Sequence, residues 1–228
     1  MKKSITFLIT IALASTLHAQ ILTLQGGPSI SKLNWELERF MTPTTIHDKT
    51  LVGYSVFAGM DYFDRTYFNI SSNIGLIRKG GMHDVSLSEQ SETDKLTLSY
   101  LSVNTTADFK YPVAKIYYPF VSIGPRLDYL AKHSQHFDIV ESVNGFNAVS
   151  VGMILGAGVK VNTGNFQFGL RADYYLNFNP VADWENQSPD SSGKITGQTF
   201  TVSLSIGYKL NKGIGIFTPV VDRIRNGL

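Results

Sequence analysis

The stretch from Thr196 to Leu210 reads TGQTFTVSLSIGYKL, and its alternation decides the fold. From Phe200 onward every second residue is apolar, and the residues between them are serine, threonine, glycine and Lys209. Successive side chains of a β-strand point to opposite sides, so this strand has one apolar face and one small, polar face. Aromatic residues stand near both ends of the apolar face, at Phe200 and Tyr208. This pattern is typical of a strand that crosses a bilayer as part of a closed barrel.

The same period of two recurs along the chain and predicts seven further strands. In one of them the apolar positions run from Val149 to Val161, with glycine, serine and Lys160 between them and Ile154 as the exception. The next strand places Phe166 to Phe178 on its apolar face. The eight predicted strands lie near residues 21–32, 51–62, 66–79, 95–110, 116–131, 147–161, 165–178 and 195–210.

Short and long connections alternate between these strands. Short turns are predicted at residues 63–65, 111–115 and 162–164, and long polar loops at 33–50, 80–94, 132–146 and 179–194. Outer-membrane barrels have this arrangement, with tight periplasmic turns and longer outward loops. We therefore predict an all-β protein, an eight-stranded antiparallel up-and-down transmembrane β-barrel, or one of ten strands if a long loop contains a hairpin. A soluble, periplasmic lipocalin-like binding protein is the alternative, although soluble strands are usually only about 5–6 residues long.

Composition and the chain ends set the domain organisation. The 228 residues are 43% hydrophobic and 17% charged, a composition that excludes disorder. The chain contains no cysteine, which excludes thiolate chemistry. Residues 1–19 are predicted to be a signal peptide, because Lys2 and Lys3 precede an apolar stretch too short for a membrane helix. Residues 20–210 would form the barrel and residues 211–228 a C-terminal periplasmic tail. No basic excess points to a nucleic-acid partner.

Several short motifs carry a resemblance to a known family. They are Leu98 to Leu101, Ser122 to Arg126, Gly156 to Val159, Gly169 to Tyr174 and Ser205 to Lys209. In this order and spacing, across residues 21–210, they resemble the outer-membrane β-barrel domain family common in Bacteroidota, which includes PorT-like and OmpX-like small barrels. The chain departs from the family pattern at Ser102–Asn104, where members often carry Glu-x-Pro, and in ending its last strand on Leu210. The resemblance implies a barrel and an outer-membrane location, and no defined activity.

Charged residues on the inward face form the first set of candidate site residues. An eight-stranded barrel has an interior that its own side chains just fill, and a buried charge needs a partner. We therefore expect a structural network of ion pairs inside the barrel, and a proton or ion path is the alternative interpretation. The residues assigned to this lumen network are Asp61, Arg126, Asp128, Arg171 and Asp173.

The outward loops supply the second set of candidates. Aromatic residues on exposed loops can anchor a binding partner, which makes Trp35 and Trp184 candidate binding residues. His133 and His136 lie beside Ser134 and two carboxylates, the residue types of a hydrolase or a weak metal site. An exposed polar loop explains them equally, so we predict no catalytic site, no metal and no cofactor.

These observations predict an exported, monomeric protein of a Gram-negative outer membrane. Its expected role is structural or interactive, in envelope integrity, adhesion or assistance to secretion, with a small pore or a lipid-modifying enzyme as the alternative. The expected partners are outer-membrane lipid, the barrel assembly machinery, and a protein bound through the outward loops or the tail.

Overall fold

The computed structural model describes residues 21–39, 42–47, 49–62, 64–87, 90–113, 116–134, 145–184 and 191–210. These ranges contain the strands β1 (Ile21–Arg39), β2 (Thr42–His47), β3 (Lys49–Tyr62), β4 (Phe68–Leu87), β5 (Gln90–Lys110), β6 (Tyr117–Ser134), β7 (Val149–Thr163), β8 (Phe166–Asn177), β9 (Ala182–Trp184) and β10 (Ser191–Lys209). The predicted signal peptide and C-terminal tail lie outside the described residues. In the part of the chain that the structure describes, no helix has the length and hydrophobicity needed to cross a membrane.

The sheet is antiparallel throughout and closes on itself, because the first strand β1 pairs with the last strand β10. The end of the barrel with the short turns, such as the β7–β8 turn, is here the lower end. β2 pairs with β1 above the point where the β1–β3 pairing ends. In the same way β9 pairs with β10 above the end of the β8–β10 pairing. The described strands therefore form eight positions around the wall, in the order β1, β2 with β3, β4, β5, β6, β7, β8 with β9, and β10. The predicted eight-stranded barrel is confirmed.

An apolar band covers the outside of the lower part of the barrel. Its aliphatic members stand half-exposed on every side of the wall, among them Leu24, Val56, Leu76, Val103, Val121, Leu155, Leu170 and Ile206. Exposed aromatic rings border the band below, at Tyr67, Phe109, Tyr117, Phe166 and Tyr208, and above, at Tyr54, Tyr129, Phe178 and Phe200. Short connections close the lower end; in the β7–β8 turn Gly164 has a φ of 57°, a conformation that favours glycine. The outward face predicted for residues 200–208 is confirmed.

The predicted long loops were wrong in their boundaries, because the strands continue into them. β4 and β5 pair from Phe68–Phe109 up to Leu87–Gln90, so most of the predicted loop 80–94 is a hairpin. β1 likewise runs through residues 33–39 beside β10 and β2. A strand of 20 residues such as β4 is about 50 Å tall when tilted as in a membrane barrel, whereas the apolar band needs only about 25 Å. The barrel wall therefore extends above the membrane on the long-loop side.

Above the apolar band the pattern of the strands inverts. On β5 the inward positions are polar at Ser102 and Asn104 but apolar at Leu98 and Leu96. The outward positions change in the opposite sense, from exposed Leu101 to half-buried Ser99 and exposed Lys95. The lower half is thus apolar outside, as in lipid, and the upper half is apolar inside, as in water. The change marks the height at which the wall leaves the bilayer.

A buried apolar cluster fills the upper half of the barrel. It is formed by Leu33, Trp35, Phe57, Ile77, Leu96, Leu98, Tyr100, Ile154, Tyr175, Val181, Ala182 and Ile195, with Leu130 and Phe146 packed against it. These side chains come from strands on all sides of the wall, so the cluster spans the lumen. Lys79, opposite Leu98, lies among these apolar side chains.

Candidate functional site

The charged residues of the lumen form two clusters, of which the lower surrounds Lys160. Lys160 Nζ lies 2.8 Å from Asp108 Oδ2 and 3.1 Å from Asp61 Oδ2. Arg171 Nε donates to both carboxylate oxygens of Asp173, at 2.6 and 2.8 Å, and the guanidinium lies 3.7 Å from Asp108. Both cations also approach the ring of Phe120, at 5.2 and 5.8 Å from its centroid. Each of these ion-paired side chains is buried.

Neutral polar side chains complete the hydrogen bonding of this lower cluster. Ser71 Oγ donates to Asp61 at 2.7 Å, and Thr106 Oγ1 donates to Asp108 at 3.1 Å. Asn69 Nδ2 donates to Ser71 at 2.9 Å. Hydrogen bonds of this kind offset part of the cost of holding charges away from water. The lower cluster is therefore a network and not a set of isolated pairs.

Glycine at position 156 makes room for the lower cluster. A Cβ atom built on Gly156 would overlap Asp173 Oδ1 and Ser122 Oγ. Ser122 Oγ accepts a hydrogen bond of 3.0 Å from Arg171 Nη2. Gly156 on β7 thus provides space beside the ion pairs, in agreement with its predicted inward position.

The upper cluster centres on Asp128, which is fully buried. Lys79 Nζ lies 2.5 Å from Asp128 Oδ2, and Arg126 Nη1 lies 3.0 Å from the same oxygen. Arg126 also donates to Asn177. The rings of Tyr100 and Tyr175 pack against the cations. Lys79 Nζ lies about 5 Å from both ring centroids, and the Arg126 guanidinium lies 4.7 Å from the centroid of Tyr175. This cluster has two cations for one carboxylate, whereas the lower one has three carboxylates for two cations.

Two small cavities lie beside the charged clusters. A cavity of about 20 Å³ lies beside Lys160 and Arg171, and one of about 10 Å³ lies beside Lys79 and Tyr100. A single water needs about 10–15 Å³. Each cavity therefore has room for about one water.

The structure brings together the five lumen residues predicted from the sequence. Arg126 and Asp128 lie in the upper cluster, and Asp61, Arg171 and Asp173 in the lower. Lys79 was missed, because it stands at the end of a predicted strand beside a predicted loop and its partner is two strands away. The upper apolar cluster was also missed; the alternation at Leu96 and Leu98 was the available signal.

The predicted loop residues have different outcomes. Trp35 was expected on an exposed loop, and this prediction was wrong. It lies on β1, where it is 6% exposed inside the apolar cluster and offers no outer surface to a partner. His133 is exposed at the end of β6 and its ring lies 5.3 Å from the ring of Phe146. Trp184 belongs to β9 by its backbone, and its side chain is outside what the structure describes. His136 lies outside the described residues.

A closed barrel with an apolar outer band and an ion-paired polar interior is an integral membrane β-barrel protein. The chain belongs to the outer membrane protein beta-barrel domain family, whose model matches residues 18–183. It is therefore a protein of the Gram-negative outer membrane.

OprG shares the fold at low sequence identity, and a second solved structure is similar to a smaller extent. OprG from Pseudomonas aeruginosa is 9% identical, with a TM-score of 0.55, 85% of this chain covered and 98% of that chain. Outer Membrane Protein W from E. coli is 11% identical, with a TM-score of 0.44 and coverage of 85% and 99%. No curated protein sequence matches the chain.

Proposed function

We propose that the protein is a closed, non-conducting and non-enzymatic barrel that anchors an interaction surface at the outside of the cell. The observation that carries this proposal is the filling of the lumen by two ion-paired clusters and an apolar cluster. A pore needs a continuous water path, and the two cavities beside the clusters have room for about one water each.

The part of the wall above the membrane supports a role in interaction. Its outward positions are polar, and its inward positions pack into the apolar cluster. The described part of the upper wall is thus a packed scaffold, the usual setting for surfaces that bind a partner. The resemblance of the sequence to PorT-like proteins of Bacteroidota favours a monomeric barrel that assists secretion or maintains the envelope.

An enzyme at the outer rim receives less support. His133 lies against an aromatic ring. Among the residues that the structure describes, no group of His, Asp and Glu side chains could hold a metal ion. The proposed absence of activity predicts that overproducing the protein leaves the acylation of outer-membrane lipid unchanged by mass spectrometry, with H133A as the comparison.

Two measurements test the proposal. The purified protein in planar bilayers should give no stepwise conductance, whereas a regular single-channel current would overturn the closed-barrel assignment. A photo-crosslinking residue at exposed Asp183, at the upper rim, should capture a specific partner on whole cells. The same residue at Asn165, in the lower turn, is the matched control. Equal capture at both positions, or none at the rim, would contradict an interaction role for the upper wall.

A further inference from the structure

The outer surface of β4, β5 and β6 changes abruptly from apolar to cationic. The pairing places Leu76, Leu101 and Tyr129 in one row across the three strands, and all three are at least 40% exposed. The next outward-facing row, one step higher, is Arg78, Ser99 and Lys132. The change therefore occurs at the same step of the pairing on three neighbouring strands.

An irregularity in β6 places Lys132 in this row. The pairing shifts between Ser99 and Tyr100, so that Tyr100 is opposite Leu130 and Ser99 is opposite Lys132. Ala131 is the extra residue, as in a β-bulge. With regular pairing and no shift, Ala131 would stand opposite Ser99, and the side chain of Lys132 would turn toward the lumen. The bulge thus directs a cation outward at the membrane boundary.

Cations dominate this part of the surface. Neighbouring strands are about 4.8 Å apart, so the backbones at Arg78 and Lys132 are separated by about 10 Å. Exposed Lys95 stands two outward positions above Ser99 on β5. The structure describes several outward side chains of β4–β6 above the apolar band. None of these described side chains carries a carboxylate. Two cations at this spacing repel each other unless an anion lies between them.

We propose that Arg78, Ser99 and Lys132, with Lys95 above them, bind a phosphate group of a glycolipid in the outer leaflet. We call these four residues the phosphate row. The row begins directly above residues that face acyl chains, which is where the headgroup of a lipid in contact with the barrel lies. Arginine binds phosphate through two parallel hydrogen bonds, lysine acts as a point charge, and the serine hydroxyl can donate a further bond. The row is separate from the lumen and independent of the function proposed above.

An exposed lysine with a carboxylate neighbour, on β10 beside β1, provides a control. Lys194 is exposed on β10 above the band, but the pairing places it opposite Glu36 on β1. This cation has a carboxylate as its cross-strand neighbour, so it offers no excess charge to a phosphate. Lys194→Gln therefore removes an exposed lysine of the upper wall without altering the phosphate row.

The test measures binding of phosphorylated lipid A to the full-length protein in detergent micelles by native mass spectrometry. The wild type and Lys194→Gln should bind this glycolipid equally well. The double variant Arg78→Gln/Lys132→Gln should bind it about tenfold more weakly or worse, since its charge-assisted bonds are lost. The charge-preserving variant Arg78→Lys/Lys132→Arg should keep most of the affinity. Heat-modifiable gel mobility verifies that each variant is folded.

Three outcomes would overturn the proposal. The first is equal binding of phosphorylated lipid A by the wild type and the double variant. The second is equal binding of phosphorylated and enzymatically dephosphorylated lipid A by the wild type, because acyl contacts would then explain the affinity. The third is complete displacement of the glycolipid by inorganic phosphate, which would show that the row takes the free anion.

Discussion

Lys160 and Asp61 form an ion pair of 3.1 Å across the full width of the barrel, since β7 and β3 stand four positions apart in a wall of eight. The same lysine reaches Asp108 on β5. One side chain therefore connects three parts of the wall through the lumen. This arrangement stabilises the closed barrel only while both carboxylates keep their partner.

Replacing Lys160 by methionine should destabilise the barrel. Asp61 and Asp108 would be left buried near each other without their shared cation, and breaking a buried ion pair costs about 3–5 kcal/mol. Urea unfolding in micelles measures the change. The triple variant Lys160→Met/Asp61→Asn/Asp108→Asn should recover part of the loss, and Lys194→Met should unfold like the wild type. An unchanged midpoint for Lys160→Met would mean that the pairs contribute little.

Replacing Arg171 by alanine should lower the unfolding temperature and leave the conductance unchanged. Asp173 loses the Arg171 Nε–H from which both of its carboxylate oxygens accept, which destabilises the fold, but the apolar cluster above still closes the lumen. Thermal unfolding and planar-bilayer recording check the two parts separately. A new stepwise current in this variant would show that the arginine, and not the apolar cluster, blocks the barrel.

Replacing Trp35 by alanine should be among the most destabilising changes in the upper wall. Truncating a large buried aromatic side chain typically costs about 3–5 kcal/mol, and Trp35 is 6% exposed. Phe178→Ala, at a position 65% exposed, is the matched control and should cost less. The gel mobility of unboiled samples across a temperature series gives the comparison. Equal losses would contradict a larger contribution of the buried apolar cluster to stability.

Replacing Gly156 by alanine should crowd the lower cluster. The added methyl would overlap Asp173 Oδ1 and Ser122 Oγ, and overpacking of this kind typically costs about 1–3 kcal/mol. Ala157→Val adds carbon to the adjacent, exposed position and should unfold close to the wild type. If both variants unfold alike, the lumen at Gly156 has more freedom than its contacts indicate.

The orientation of the barrel can be tested with single cysteines, because the natural chain contains none. Cysteine at exposed Asp183, on the long-loop side, should react with a membrane-impermeant maleimide on intact cells. Cysteine at exposed Asn165, in the β7–β8 turn, should react only after permeabilisation, since tight turns face the periplasm. The reverse labelling pattern would invert the orientation and move the phosphate row to the inner leaflet.

The lower half of the fold was predictable because its signal is local. Period-two alternation from Thr196 to Leu210 assigns each side chain to one face of a strand, and lipid requires the apolar face outside. The inward positions of Asp61, Arg126, Asp128, Arg171 and Asp173 follow from the same alternation. No knowledge of distant parts of the chain is needed for either conclusion.

The upper half depended on closure of the barrel. The residues around Trp35 look like a polar loop because their alternation is short and its polar positions include Glu36 and Glu38. The apolar interior around Trp35 exists only because other strands of the closed wall face it. The ion-pair partners of the lumen charges were also not predictable from local sequence. The sequence makes Lys160 an inward cation, but Lys160 pairs with Asp61 because β3 and β7 face each other. Thus the sequence by itself determined which face each membrane strand turns to lipid, since that is a property of neighbouring residues. Only the tertiary structure decided which charges meet across the lumen and where the wall leaves the membrane, since both depend on the register and closure of eight strands.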